Sequence, residues 1–90
     1  MILEKQIMVV NKLGLHARAA AKLVKLTAGF DSMIKLNMAE KEVDAKSIMG
    51  IMMLAATQGS ELKLVVRGED AENAADAVCQ MFADCFGEGE

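Results

Sequence analysis

The chain has 90 residues, 53% of them hydrophobic and 26% charged, with a formal net charge of −3. This length permits one domain, spanning residues 1–90, and the composition is globular rather than disordered. Three phenylalanines and no Trp or Tyr leave no platform for stacking bases, and the negative charge opposes binding to phosphate backbones. No nucleic-acid partner is therefore expected.

Hydrophobic periodicity predicts seven elements in the order β-α-β-β-α-β-α. They cover residues 2–10, 17–28, 32–37, 41–45, 48–56, 61–67 and 71–85. Gly29 is expected to end the first helix, and Ser47 and Asp70 are expected to cap the second and third helices. A hairpin at residues 38–40 should join the second and third strands, and residues 87–90 should form a frayed tail. The pattern predicts an α+β fold, with a four-stranded antiparallel sheet and three helices on one face.

The chain shows no pattern typical of a targeting segment or a metal site. Residues 1–10 contain Glu4 and Lys5 inside their apolar run, unlike a signal peptide, and no apolar run reaches the roughly 18 residues of a membrane span. We therefore expect a soluble, cytoplasmic protein without membrane insertion. Cys79 and Cys85 match no metal-ligand spacing and the chain has one histidine, so free thiols, no metal and no cofactor are expected.

The single histidine, His16, has an unusual setting. It follows Gly14-Leu15 and directly precedes the first predicted helix, although histidine is not a favoured N-cap residue. The first amides of a helix are unpaired and lie at the positive end of the helix dipole, where they form an anion site. Arg18 can hold phosphate oxygens in a bidentate manner, and an imidazole with a free ring nitrogen is a nucleophile. These residues predict a site that accepts a phosphoryl group on His16 and holds it.

A plainer alternative is that His16 is a solvated residue at a loop–helix junction. Arg18, Lys22 and Lys25 would then be no more than the solvated face of the first helix. Other catalytic schemes have less support, because the chain has one histidine, no carboxylate pair readable as catalytic and no glycine-rich nucleotide loop. A self-sufficient enzyme is not expected at this size, so another protein would have to deliver the phosphoryl group.

Three segments, in order, resemble the HPr family, the histidine phosphocarriers of the bacterial phosphotransferase system. Residues 14–21, GLHARAAA, resemble its active-site signature. Residues 46–50, KSIMG, resemble its regulatory-serine segment, and residues 58–62, QGSEL, resemble the turn that enters its last strand. The resemblance covers residues 1–86 and implies the open-faced β-sandwich of that family.

By this resemblance, His16 carries the phosphoryl group on Nδ1 and Arg18 supports it. The donor would be phosphorylated Enzyme I, charged from phosphoenolpyruvate, and the acceptor would be a IIA domain. The chain would thus be a transiently phosphorylated carrier rather than an enzyme, and a monomer by default. Ser47 matches the serine that an ATP-dependent HPr kinase/phosphorylase modifies in many relatives, although a role as N-cap explains a serine there equally well.

Two departures from the sugar carriers leave the pathway open. Ala19 stands where most of them have proline, and Lys12-Leu13 replaces their Pro-Asn. Both changes resemble the proteobacterial branch that includes the nitrogen-related carrier NPr, so the output is either sugar transport or nitrogen-related regulation. The alternative function is a protein-binding co-regulator that keeps the fold without being phosphorylated, which the intact His16 and Arg18 disfavour.

The second helix carries more apolar residues than one buried face of a short helix can use. Ile51 and Leu54 are assigned to the core, and Ile48, Met49 and Met52 are expected to be exposed anchors, with core packing as the alternative for each methionine. In the HPr family this helix and the start of the first form the docking face, where basic residues meet acidic partners. The candidate docking residues are Ile48, Met49, Met52, Lys22, Lys25 and Lys46.

Overall fold

Four strands form a sheet and three α-helices cover one of its faces in the computed structural model, which describes residues 1–87. The elements are β1 (Ile2–Met8), α1 (Ala17–Thr27), β2 (Met33–Met38), β3 (Lys41–Asp44), α2 (Ile48–Met53), β4 (Glu61–Arg67) and α3 (Ala71–Ala83). A 3-10 turn, Cys85–Gly87, follows α3. The predicted order, the α+β fold and the hairpin between β2 and β3 are confirmed.

The strand pairs of this sheet are antiparallel, in the order β1-β4-β2-β3. The register places Leu36 opposite Leu64, and both side chains are buried beneath the helices. The other face is open to solvent, and there Glu4 Oε1 lies 3.7 Å from Lys63 Nζ. Alternation of apolar and polar residues with a period of two therefore produces a one-sided sheet.

The edge strand β1 pairs only with β4 and ends at Met8, short of its predicted end. Beyond Met8, Val9 N–H still donates to Ser60 O at 2.9 Å. The Val9 carbonyl, however, accepts from Gly59 N–H at 2.7 Å rather than from Ser60. Because Gly59 and Ser60 both bond to the single residue Val9, the regular ladder stops before it.

The helices bury small side chains against the sheet. The residues that α1 and α3 bury are Ala19, Ala20, Leu23, Thr27, Ala71, Ala74, Ala75, Val78 and Phe82. The Phe86 ring extends this core by packing edge-to-face on Phe82, with the ring centroids 4.9 Å apart. The Phe86 carbonyl accepts from Lys22 Nζ at 2.9 Å, so the C-terminal turn is tied to α1.

Helix ends differ from prediction where the backbone leaves helical geometry. α2 ends at Met53 because Ala55 adopts a φ of 51°, which lies outside the right-handed helical region. α3 stops before Cys85, which the apolar stripe places in the helix but which has a φ of 54°. Gly29 does not take the left-handed conformation of a terminal glycine. Its N–H donates instead to Leu26 O at 3.1 Å, which tightens the end of α1.

Cys79 and Cys85 are free, as expected. Residues 88–90 of the predicted tail lie outside the described residues, whereas Gly87 ends the 3-10 turn. Within residues 1–87, no helix combines the length and apolar character needed to cross a membrane.

Asp70 occupies the N-cap position of α3, but its side chain does not cap that helix. The carboxylate reaches the start of β2 instead. Oδ2 accepts from Asp31 N–H at 2.8 Å, Oδ1 accepts from Ser32 N–H at 2.9 Å, and the Ser32 hydroxyl also donates to Oδ1. The bond from the Ser32 hydroxyl, followed by that from the Asp31 amide, lowers the pKa of Asp70 below its ordinary value. The predicted side-chain cap is wrong, and the carboxylate links α3 to β2.

We expect Asp70→Asn to lower Tm near neutral pH, because the amide is a weaker acceptor than the carboxylate. Since folding lowers this pKa, the stabilisation is complete above the ordinary carboxyl pKa of about 3.9 and is lost as the pH falls through the lowered value. The Tm difference between wild type and variant should therefore narrow between pH 7 and pH 3. Asp76→Asn, on the exposed side of α3, makes the same change in charge and is the control. A Tm difference that stays constant over this range contradicts the prediction.

Candidate functional site

The loop between β1 and α1 is held by hydrogen bonds at both ends. Asn11 is buried, and its Nδ2 donates to Gly14 O at 2.7 Å while Gly14 N–H donates to Asn11 O at 3.2 Å. Leu15 N–H donates to Ala56 O at 3.0 Å, which fastens the loop to the segment that follows α2. The residue that precedes α1 is thus presented from a fixed loop.

Gly14 is the point at which this loop touches that segment. Its φ is +67°, and a Cβ there would lie 2.4 Å from Ala56 O and 2.9 Å from Thr57 Cα. Both neighbours are backbone atoms, which cannot rotate away as a side chain can. Packing and backbone geometry therefore both require glycine in this position of the motif.

His16 is the N-cap residue of α1, as predicted. Its backbone is extended (φ −74°, ψ 176°), and its carbonyl accepts from Ala20 N–H at 2.9 Å. The imidazole Nδ1 accepts from Arg18 N–H at 3.2 Å, so the ring takes the role that a hydroxyl or carboxylate usually has in a helix cap. An accepting ring nitrogen presents its lone pair, which leaves the proton of the neutral ring on Nε2. Nδ1 is therefore the nitrogen whose electron pair is directed at the helix end.

The start of α1 is electropositive. Its first turn contains no acidic residue, its first amides lack intrahelical acceptors, and the helix dipole adds partial positive charge. The Arg18 side chain is exposed on this turn, and His16 is half-buried beside it. The fold thus brings a nucleophilic nitrogen and an anion-binding helix end to the same point.

The second helix exposes four apolar side chains. These residues, which we call the α2 patch, are Ile48, Met49, Met52 and Met53, with exposed fractions between 42% and 76%. Ile51 and Leu54 are fully buried, as predicted. Sequence reasoning misses Met53, although its spacing of four residues from Met49 places the two side chains next to each other on a helix.

The three lysines assigned to docking differ in their surroundings. Lys25 is exposed. Lys22 and Lys46 are half-buried, and Lys46 Nζ donates to Phe30 O at 2.7 Å just as Lys22 Nζ donates to Phe86 O. These two ammonium groups therefore connect distant segments of the chain in addition to contributing positive charge.

Ser47 is the N-cap of α2, as predicted. Its Oγ accepts from Gly50 N–H at 3.0 Å, and the side chain is half-buried. A Cβ on Gly50 would lie 3.3 Å from Ser47 Oγ, so the glycine leaves the hydroxyl its space. The serine thus has a structural role next to Ile48 and Met49 of the α2 patch.

The comparison with protein families identifies the family to which the chain belongs. Residues 3–84 match the family model described as PTS HPr component phosphorylation site. The chain belongs to the HPr family. A phosphocarrier protein HPr from Cupriavidus necator is 49% identical over 89 residues, which cover 99% of this chain and 100% of the relative. A phosphocarrier protein NPr from Shewanella violacea is 43% identical over 86 residues, which cover 96% of this chain and 94% of the relative.

Solved HPr structures have the same architecture. The crystal structure of an HPr from Thermoanaerobacter tengcongensis has a TM-score of 0.92 and 44% identity, covering 96% of this chain and 97% of that chain. A dimer of HPr from the same organism has a TM-score of 0.77 and 45% identity, covering 91% and 94% of the two chains. The open-faced sandwich implied by the sequence motifs is confirmed, and as an HPr family member the chain is a phosphocarrier protein.

We expect Gly14→Ala to destabilise the protein by about 2 kcal/mol or more, because it combines an unfavourable φ with a backbone clash. Gly59→Ala is the matched control, since Gly59 also has a positive φ (+91°) but a Cβ there meets no atom within 4 Å. Urea unfolding gives the free energy of unfolding of both variants, and the difference between them measures the clash of the new Cβ with Ala56 and Thr57. Equal losses of unfolding free energy in the two variants would show that the backbone there accommodates the Cβ without cost.

We expect Ser47→Ala to lower the free energy of unfolding by about 1 kcal/mol, the usual contribution of a helix N-cap. Ser47→Asp keeps an acceptor for Gly50 N–H and should lose only a fraction of this. Chemical denaturation of the two variants measures the difference. If Ser47→Asp is as unstable as Ser47→Ala, the hydrogen bond to Gly50 does not provide the stabilisation.

Proposed function

We propose that this protein accepts a phosphoryl group on Nδ1 of His16 from phosphorylated Enzyme I and passes it to a IIA domain, in a cytoplasmic relay charged from phosphoenolpyruvate. The observation that carries the proposal is the capping geometry of His16. Its Nδ1 lone pair is directed at the first turn of α1, within hydrogen-bond reach of Arg18 N–H at 3.2 Å. The membership of the chain in a family of phosphocarriers supports the same assignment.

The transfer is a displacement at phosphorus. The Nδ1 lone pair gives up its hydrogen bond from Arg18 N–H and attacks the phosphorus atom, the bond from phosphorus to the donor breaks, and its electron pair leaves with the donor. The proton on Nε2 can then dissociate, since Nδ1 now uses its lone pair in the new bond. Transfer to the IIA domain is the same displacement with His16 as the leaving group, and Nε2 regains its proton so that the ring leaves as a neutral imidazole.

The phosphorylated state places about two negative charges at the start of α1. A phosphoryl oxygen can accept a hydrogen bond from Arg18 N–H, the amide that donates to Nδ1 in the free protein. The dipole of α1 also favours the anion. The exposed Arg18 guanidinium can approach the same oxygens. The phosphorus–nitrogen bond attaches the group, and these electrostatic contacts stabilise its negative charge.

Docking is assigned to the α2 patch together with the start of α1. The patch provides a bare apolar face, and α2 packs against α1. Flexible thioethers suit a surface that must fit both a donor and an acceptor. Lys25, Lys22 and Lys46 contribute positive charge that favours encounter with acidic partner surfaces.

Regulation at Ser47 is a second part of the proposal. Phosphorylation by an HPr kinase/phosphorylase would place a dianion beside Ile48 and Met49, within the docking surface. Its main effect would be to oppose partner binding, because phosphate at a helix start is tolerated electrostatically. The capping bond to Gly50 explains a serine at this position without any modification.

The pathway and the assembly state are the remaining parts of the proposal. HPr and NPr relatives both match the chain, and the output stays a choice between sugar transport and nitrogen-related regulation. The monomer predicted from the sequence remains a prediction. The alternative function, a co-regulator that binds partners without being phosphorylated, has no chemical use for the capping geometry of His16.

Intact-mass analysis after incubation with Enzyme I and phosphoenolpyruvate tests the carrier role. Wild type should gain one acid-labile phosphate, and His16→Ala should gain none. Ser47→Ala should gain as much as wild type, since Ser47 is not the acceptor in this reaction. Incubation with an HPr kinase and ATP should reverse this pattern, with phosphate added to His16→Ala but not to Ser47→Ala.

Wild type that gains no mass with a competent Enzyme I would favour the co-regulator. Phosphate on His16→Ala in the Enzyme I reaction would place the acceptor elsewhere in the chain. Circular dichroism of His16→Ala confirms that the variant is folded, which keeps a negative result interpretable.

A further inference from the structure

We propose that Met49, Met52 and Met53 form an oxidation site through which peroxides switch off docking of the phosphoryl donor. The inference rests on the proposed function, since it assigns a chemical sensitivity to the docking surface. The three residues are half of the six residues of α2, and their thioethers are its only heteroatoms outside the backbone.

The sulfur-bearing side chains are open to solutes. Met49 is 76% exposed, Met53 is 68% exposed and Met52 is 43% exposed. By contrast, Met38 and Met81 are partly buried against the core. A small oxidant in solution therefore reaches the α2 methionines without any opening of the fold.

The helical spacing places the oxidisable side chains next to one another. Met49 and Met53 are four residues apart on one helix, as are Ile48 and Met52, so each pair lies side by side and the pairs are adjacent. The exit from α2 carries Ala56, whose carbonyl holds the loop before His16. The patch therefore adjoins the acceptor site without containing any group that reacts with phosphate.

The chemistry is a two-electron oxygen transfer. The thioether lone pair attacks one oxygen of hydrogen peroxide, the O–O bond breaks, and the products are methionine sulfoxide and water. The sulfur is oxidised and the peroxide is reduced, so no further co-reactant is needed. The sulfoxide oxygen is a strong hydrogen-bond acceptor where an apolar surface stood before.

Oxidised side chains would weaken binding because the partner must cover them. A sulfoxide oxygen that is buried in an apolar interface loses its hydrogen bonds to water. If no hydrogen-bond donor of the interface replaces them, the burial costs free energy. α2 (Ile48–Met53) itself contains no charged residue, and the Lys41 ammonium that reaches it donates to the backbone carbonyl of Met53 at 3.3 Å. Three such groups on one small face make the loss cumulative.

The chain contains its own control residues. Met8 and Met33 are 49% and 39% exposed, and they lie on the open face of the sheet, opposite to the helices. Peroxide should oxidise them as well. Because this face is remote from the docking surface, their oxidation should leave phosphoryl transfer unchanged.

The experiment compares wild type, Met49→Leu/Met52→Leu/Met53→Leu and Met8→Leu/Met33→Leu, each with and without hydrogen peroxide. Intact mass reports the oxygens added. The initial rate of His16 phosphorylation by Enzyme I is measured at low carrier concentration, where docking limits it. Phosphoramidate, a small phosphoryl donor that needs no docking surface, measures the reactivity of His16 itself.

The treated-to-untreated rate ratio is the quantity to compare. With Enzyme I as donor, we expect peroxide treatment to lower the phosphorylation rate about tenfold or more in wild type and in Met8→Leu/Met33→Leu, so that the ratio is about 0.1 or less. For Met49→Leu/Met52→Leu/Met53→Leu it should stay near one, and with phosphoramidate it should stay near one for every protein.

Three outcomes overturn the inference. The first is an unchanged phosphorylation rate for oxidised wild type, and the second is an equal loss of rate in the triple leucine variant. The third is an equal loss of rate with phosphoramidate as donor, which would place the damage at His16 or in the fold. An untreated wild type that Enzyme I fails to phosphorylate refutes the proposed function itself, and the inference with it. A loss of function is thereby distinguished from a loss of sensitivity to peroxide.

Discussion

The contact between the loop before α1 and the segment after α2 determines the geometry of the candidate site. It consists of the bond from Leu15 N–H to Ala56 O and of Gly14, which lies against Ala56 and Thr57 with no side chain between. Because backbone meets backbone, the start of α1 and the end of α2 cannot shift independently. His16 and the α2 patch belong to different helices, and this contact fixes the loop before α1 relative to the segment after α2.

The lone pair of His16 Nδ1 has a structural use before any chemistry. It accepts from Arg18 N–H and so satisfies one of the amides that a helix leaves open at its start. Under the proposed function, a phosphoryl oxygen accepts from the same amide after transfer. The helix end is then satisfied in both states, and neither loading nor unloading requires the first turn to refold.

Local patterns in the sequence predict the elements and the site residues, but they do not predict the links between distant segments. The helix cap at His16 follows from its immediate neighbours. The bonds that Lys22, Lys46 and Asp70 make, in contrast, join residues 64, 16 and 38 positions apart. A charged side chain carries no local sign of which distant amide or carbonyl it will meet. The early end of α2 has a similar origin, because Ala55 turns where the next residue meets the loop.

The strand order of the sheet has a consequence for synthesis of the chain. β1 pairs only with β4, which begins at Glu61. On the ribosome, the N-terminal strand must therefore wait for its hydrogen-bonding partner until most of the chain has been translated, and only the β2–β3 hairpin can form from adjacent segments. During that interval the apolar side of β1 is uncovered. This uncovered apolar surface makes the incomplete chain more prone to aggregation than the folded protein.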